Sequence, residues 1–408
     1  MLTIDDIKHF RSEKVTDTPE NGGRIDYSSE IPDNVKYNLF PRVTYQERIN
    51  GYTRFRKEFI ANTNSDNEPA YGLLYCIIQP SNGGDRFYIR AGTQTDTQAD
   101  VEDAWDWTGG GKLYADVSAG ATQIQVLFEA DDFFIPSDTN ICISDGNNIC
   151  WVKTKKEEYT ETAAAGDGST TSFSYTLSNV PVEKGSVSIT YTINSTSYTA
   201  IDDGKGNISG PHLTGSINYQ TGELSLTFDT APDSGTDISC QYVKSCATWS
   251  GNVATIELAD QVPYNYSASN TTAGVCLSLG DLKPELKDVT VTSSSGTFDD
   301  SQVALDNMSV YDEWTITFQD STTFTVSGNY EGNLPNGSIN SDYSPINPVT
   351  NKPYFTIPAS AWGGSWQAGD TVTFKTYPAA KAVWWKEVIP PNIEREPNNI
   401  VKAELFVE

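Results

Sequence analysis

From about residue 70 to the end, the dominant spacing of apolar side chains is two. Val187, Ile189, Tyr191 and Ile193 alternate with Ser188, Thr190 and Thr192. Ile124, Val126 and Phe128 do the same, as do Trp314, Ile316 and Phe318. A period of two sends successive side chains to opposite faces of an extended chain, so each run reads as a strand with one apolar side. Such strands must bury that side against another layer. The chain is therefore expected to be all-β, with several β-sandwich or barrel modules and a short helical segment at its N-terminus. Its 408 residues are enough for two to four domains.

Turn chemistry divides the strands. Asp145-Gly146-Asn147-Asn148 lies between Ile141, Ile143 and Ile149, Trp151, which predicts a hairpin. Gln220-Thr221-Gly222-Glu223 separates Ile217, Tyr219 from Leu224, Leu226 and predicts another. The run 163–245 reads as a self-contained sandwich inserted into a parent domain made of 61–162 and 246–288. A C-terminal β domain is expected over 289–392 and a tail over 393–408. Within it, 328–353 is rich in Asn, Gly, Ser and Pro and reads as an exposed loop.

Residues 1–60 read as an N-terminal arm with short helices. Thr3 and Asp6 fit a capping box before a stripe of Ile4, Ile7 and Phe10, and Thr44 with Glu47 predicts a second helix ended by Gly51. The stretch 52–60 fits either a helix, by Phe55 and Phe59, or a strand, by the alternation of Arg54, Arg56 and Glu58.

Charge is uneven. The chain has 27 Lys and Arg against 54 Asp and Glu, a net charge of −27. The first 60 residues hold ten bases and ten acids, so the remainder carries the whole excess. Arg42, Arg48, Arg54, Arg56 and Lys57 are candidates for docking on the acidic body of a neighbouring copy. The alternative is ordinary surface charge near one chain end. The acidic balance argues against binding duplex nucleic acid through its phosphates. No apolar run is long enough to span a bilayer, and the N-terminus lacks the pattern of a secretory signal.

Candidate chemistry is sparse. His9 and His212 are the only histidines. The six cysteines form no Cys-x-x-Cys pair, so no metal site or cofactor is expected. Without an export signal the thiols should be reduced, although Cys142 and Cys150 flank the predicted hairpin and could be near each other. Asp202-Asp203-Gly204-Lys205-Gly206-Asn207 lacks the alternating ligands and closing Glu of a calcium loop. Trp105, Trp107, Trp362 and Trp366 are candidates for exposed aromatics that stack on sugars or anchor an interface. Burial in a β core is the other reading. No nucleophile or acid–base constellation stands out, so no enzymatic activity is expected.

Several stretches resemble virion structural proteins of tailed bacteriophages, especially those with contractile tails. They are MLTIDDIKHFRSEKVTD with NGGR (1–24), NLFPRVTYQERINGYTRFRKEFIAN (38–62), GTQTDTQAD (92–100) and AWGGSWQAGDTVTFKTYPAAKAVWWKEVIPP (361–391). The segment 166–244, with SINYQTGELSLTF (216–228), is similar to Ig-like sandwich modules inserted in phage neck, baseplate and tail proteins. The resemblance implies a non-enzymatic virion subunit, built in the host cytoplasm and forming a ring of copies at the neck or collar. Its partners would be itself and other neck or tail proteins, with no membrane and no sequence-specific nucleic acid. A baseplate or other tail position, or a carbohydrate-binding adhesin using the inserted sandwich, are the alternatives.

Overall fold

The computed structural model describes residues 2–33 and 35–407. Strands dominate; among the described residues the α-helices are Tyr45–Asn50 (α1) and the single turn Gln98–Val101. The fold is a set of β units around a central hub. In chain order the hub strands are β1 (Ile7–Lys14), β2 (Gly22–Glu30), β3 (Tyr52–Asn62), β4 (Ala70–Gln79), β5 (Arg86–Ala91), β6 (Leu277–Leu282), β7 (Ala380–Ile389) and β8 (Lys402–Phe406). One sheet has the order β2-β1-β3-β7-β5 and a smaller one the order β6-β4-β8.

β3 is the centre of the first sheet. It pairs antiparallel with β1, Arg11 opposite Glu58, and with β7, Ala380 opposite Ala61 and Ile389 opposite Tyr52. Phe59 and Ala61 pack on one face with Phe10 and Ala382. Ile60 packs on the other with Val383 and Trp385, against Tyr75 and Ile77 of β4. Both faces are covered, so every residue from Arg54 to Asn62 is buried.

This corrects the reading of residues 1–60 as an arm. The expected first helix is a single 3-10 turn, Ile4–Asp6, closed by the Thr3–Asp6 pair. From Ile7 the chain is extended, because Ile7 and Phe10 serve opposite faces of a sheet and pairing with β3 outweighs the local stripe. The second helix forms where its signals lie: Thr44 and Glu47 cap each other and Gly51 ends it at φ +77°.

The seven-stranded sheet of the parent unit joins segments on both sides of the insertion. Val253–Glu257 pairs with Gln123–Leu127, and Thr272–Val275 lies between Gly110–Leu113 and Asn140–Ser144. The inserted unit starts earlier than expected, at Glu157, and runs to Lys244. Its eight strands are hydrogen-bonded into one sheet that nearly closes on itself, instead of two stacked layers. Curling meets the same demand as stacking, since either buries one apolar face. Ile189, Tyr191, Leu226 and Tyr242 fill the interior.

The C-terminal unit has a five-stranded sheet ending at Tyr377, not at residue 392. Ala380–Ile389 crosses into the hub, and the expected tail supplies β8, with Leu405 opposite Tyr75. Part of the expected loop 328–353 is also a strand, Gly332–Ser338.

All six cysteines are free and buried. Cys142 pairs with Trp151 and Cys150 with Ile143, so the two thiols leave opposite faces of the hairpin and a bridge between them is excluded. Cys142 instead meets Cys76 and Cys276 under Leu74.

Candidate functional site: a buried ionic strand and the surface it supports

β3 has the sequence Tyr-Thr-Arg-Phe-Arg-Lys-Glu-Phe-Ile-Ala-Asn. Its charges are interior and each finds a partner from a distant segment. The Arg54 side chain is 1% exposed; it bonds the Pro41 carbonyl at 2.9 Å, Glu387 at 3.2 Å and Glu47 of α1. Arg56 reaches Asp17 at 2.7 Å and the Thr16 carbonyl at 3.1 Å. Lys57, 0% exposed, contacts Asp96 Oδ1 at 2.6 Å and donates to the carbonyls of Gly23 (2.7 Å) and Asp96 (3.0 Å). Glu58 accepts from Trp385 Nε1 at 2.6 Å and Tyr75 Oη at 2.8 Å, and lies 3.0 Å from His9 Nδ1.

The electrostatics follow. Burial alone would raise Glu58, but His9 and the hydroxyl and indole donors hold it below the ordinary carboxylate range. Burial works against a charged His9, and the Glu58 carboxylate overrides it and raises the imidazole. Burial lowers Lys57, an effect that Asp96 offsets in part. Such a strand specifies register more than it adds stability. A one-residue slip would turn Lys57 away from Asp96 and Glu58 away from Tyr75.

Three of the five basic candidates for docking on another copy are therefore consumed inside the chain. Arg54, Arg56 and Lys57 hold the hub together. Only Arg42, exposed, and Arg48, half-buried, remain at the surface. The expectation overlooked that a strand covered on both faces can carry charge when every charge has a partner.

The tryptophans are corrected as well: none of the four is exposed. Trp107 is buried against Phe55, with Lys386 Nζ 4.7 Å above its ring. Trp366 stacks on Phe318 at 4.3 Å in the C-terminal core, and Trp362 packs beside both. Trp105 meets Phe134 edge-on and enters the inserted unit. A Cβ on Gly204 would lie 1.9 Å from its indole, and one on Gly185 2.7 Å away. The bare glycines form the slot. Ser137, donating to Glu183 through its backbone N–H at 2.9 Å, adds a second link. The inserted unit contains no tryptophan; its part-exposed aromatics are tyrosines, among them Tyr175, Tyr198 and Tyr219.

Glu129 has no ion-pair partner among the described residues, and burial, with Asp85 nearby, pushes its carboxyl up from 4.5 to about 8. A group that binds its proton more tightly when folded stabilises fully below its unfolded value and loses that contribution as the pH rises through its folded value. The window is thus 4.5 to about 8. The thermal midpoint of the transition that unfolds the parent unit should fall across it, and Glu129→Gln should flatten the fall. A midpoint that rises with pH, or an unchanged slope in the variant, would contradict this assignment.

Among the described residues no group of His, Cys, Asp or Glu is placed to hold a metal ion, and no helix is long and apolar enough to cross a membrane. Fold and site together define an all-β, multidomain chain organised by an internal ionic strand. No protein-family model, curated protein or solved structure matches it.

Proposed function

We propose that the chain is a non-enzymatic structural subunit of a tailed bacteriophage particle, assembling as a multimer of copies at the neck or collar around the head–tail junction. One observation carries this reading. Four of the stretches that resemble phage virion proteins are far apart in sequence but meet in the hub. Lys57, from 38–62, bonds Gly23 of the first stretch and Asp96 of the third. Asn21 donates to the Phe55 carbonyl at 2.9 Å and to Gln98 at 3.3 Å. Ala380–Ile389, from the fourth stretch, lies beside β3 along its length. Four of the resembling stretches thus come together at the hub and its C-terminal neighbour, and the fifth, 216–228, lies in the inserted unit. The chain thus holds several β units with separate cores, which suits a protein that meets several neighbours at once.

The test is to locate the chain in intact particles by cryo-electron microscopy and to measure its size in solution. A collar of copies at the head–tail junction is expected. A chain that stays monomeric at high concentration and is missing from particles would overturn the reading. Arg54→Glu and Arg56→Glu are unsuited to this test, because both side chains are buried in the hub and the variants would report on folding.

A further inference from the structure

Three of the buried cysteines gather where the hub meets the parent unit. Cys76 sits on hub strand β4, which lies against the seven-stranded sheet. Glycines make the close approach: a Cβ on Gly110 or on Gly274 would run into the Ile77 carbonyl. Gly274 is paired with Cys142 across that sheet, and a Cβ on Gly274 would lie 3.2 Å from Cys76 Cβ. The Cys76 side chain therefore takes the place that a side chain on Gly274 would occupy, beside Cys142. The two thiols are hydrogen-bonded. Both residues are 0% exposed, and Leu74, Ile78 and Trp151 pack around them.

Cys276 is the third thiol, and it differs in geometry. The register that sets Leu277 opposite Tyr75 brings it beside Cys76 along one sheet. Residues directly opposite in a sheet keep their Cβ atoms about 4.5–5.5 Å apart, wider than the roughly 3.5–4.5 Å of an ordinary disulfide. Cys276 Sγ is turned to the Gly274 carbonyl at 3.7 Å. Cys142 faces Cys76 from the other sheet, across a gap that the glycines keep short. A buried cysteine often serves only as a small apolar residue, as Cys240 does alone in the inserted core.

We propose that Cys76 and Cys142 are a covalent modification site: hydrogen peroxide converts the pair to a disulfide that welds the hub to the parent unit. One sulfur, as its thiolate, attacks a peroxide oxygen; the O–O bond breaks and hydroxide leaves, taking up the proton that the thiol lost. The sulfenic acid so formed is attacked by the second thiol, the S–O bond breaks, and water leaves. Two thiols and one peroxide give one disulfide and two waters. The hydrogen bond with Cys76 and burial both raise the Cys142 thiol, so the thiolate is scarce and formation is slow. The same burial shields the finished bond from thiol reductants in solution.

The test uses the full folded chain. It is incubated with hydrogen peroxide, unfolded in N-ethylmaleimide to cap the remaining thiols, and digested without reductant. Mass spectrometry should find the peptides of Cys76 and Cys142 joined, with Cys150, Cys240 and Cys246 capped. On oxidation, amide exchange in Ala70–Gln79 and Asn140–Ser144 should slow on the order of 100-fold, the size usual for a disulfide that closes a long loop. The slowing should vanish in Cys142→Ser and in Cys142→Ala, the second variant guarding against a serine that the core rejects. Cys150→Ser, on the opposite face of the hairpin, should form the bond as the wild type does. Cys76 recovered joined to Cys276, as a sulfinic acid, or still free after prolonged oxidation would overturn the assignment. A bond that leaves exchange unchanged would overturn the weld.

Discussion

Replacing Glu58 with leucine is expected to lower the unfolding free energy of the hub by about 3–5 kcal/mol, the cost of breaking a buried charge pair. The size follows from what is left behind. Trp385 Nε1, Tyr75 Oη and His9 Nδ1 converge on this carboxylate within 2.6–3.0 Å, and leucine accepts from none of them. Buried donors without acceptors cost about 1–3 kcal/mol each before relaxation. Glu58→Gln keeps an acceptor and should lose less. The chain has several cores, so one global transition is not expected. Hydrogen exchange read strand by strand is the suitable measurement. Protection should drop across β1, β3 and β7 and stay unchanged in 188–217. Equal protection of the hub in wild type and Glu58→Leu would refute the role given to this carboxylate.

Gly204→Val should release the inserted unit from the parent without unfolding it. The added side chain collides with the Trp105 indole, and Gly204 sits at φ +71°, where a β-branched residue is strained. Loss of the slot and the backbone strain together should cost about 2–4 kcal/mol at the junction. The inserted core, closed around Tyr191 and Leu226, does not depend on that contact. Limited proteolysis should then cut at the two crossings, near residues 154–157 and 244–247, and the radius of gyration should increase. Trp105→Ala should reproduce both effects. A compact, protease-resistant Gly204→Val protein would show that the indole does not hold the unit.

Much of the fold is legible in the sequence because its signals are local. Strand alternation, the Asp145–Asn148 turn and the Thr44–Gly51 helix each depend on residues within one turn or one strand. The hub is not legible, because its partners are remote: Arg54 and Glu387 are 333 positions apart. Four charged residues in five positions suggest an exposed segment, and only the tertiary partners make it a central strand. The burial of the tryptophans is hidden for a related reason. A tryptophan's spacing says that it lies on a strand or loop, but Trp105 is covered by two glycines about 80 and 100 residues later, on another module. Tyr45 and Ile49 of α1 and Tyr52 at the start of β3 are exposed, which no local pattern in the sequence marks. Their exposure comes from where α1 sits on Arg54.

The position of β7 between β3 and β5 has a consequence for biosynthesis. A ribosome makes β3 early and β7 more than 300 residues later, so the hub sheet stays split while both outlying modules are completed. Until then β3 has an open hydrogen-bonding edge, Arg54 lacks Glu387, and Glu58 lacks the Trp385 indole. Closing so long a loop is slow. Nascent chains stalled before residue 380 should therefore be the species that chaperones hold.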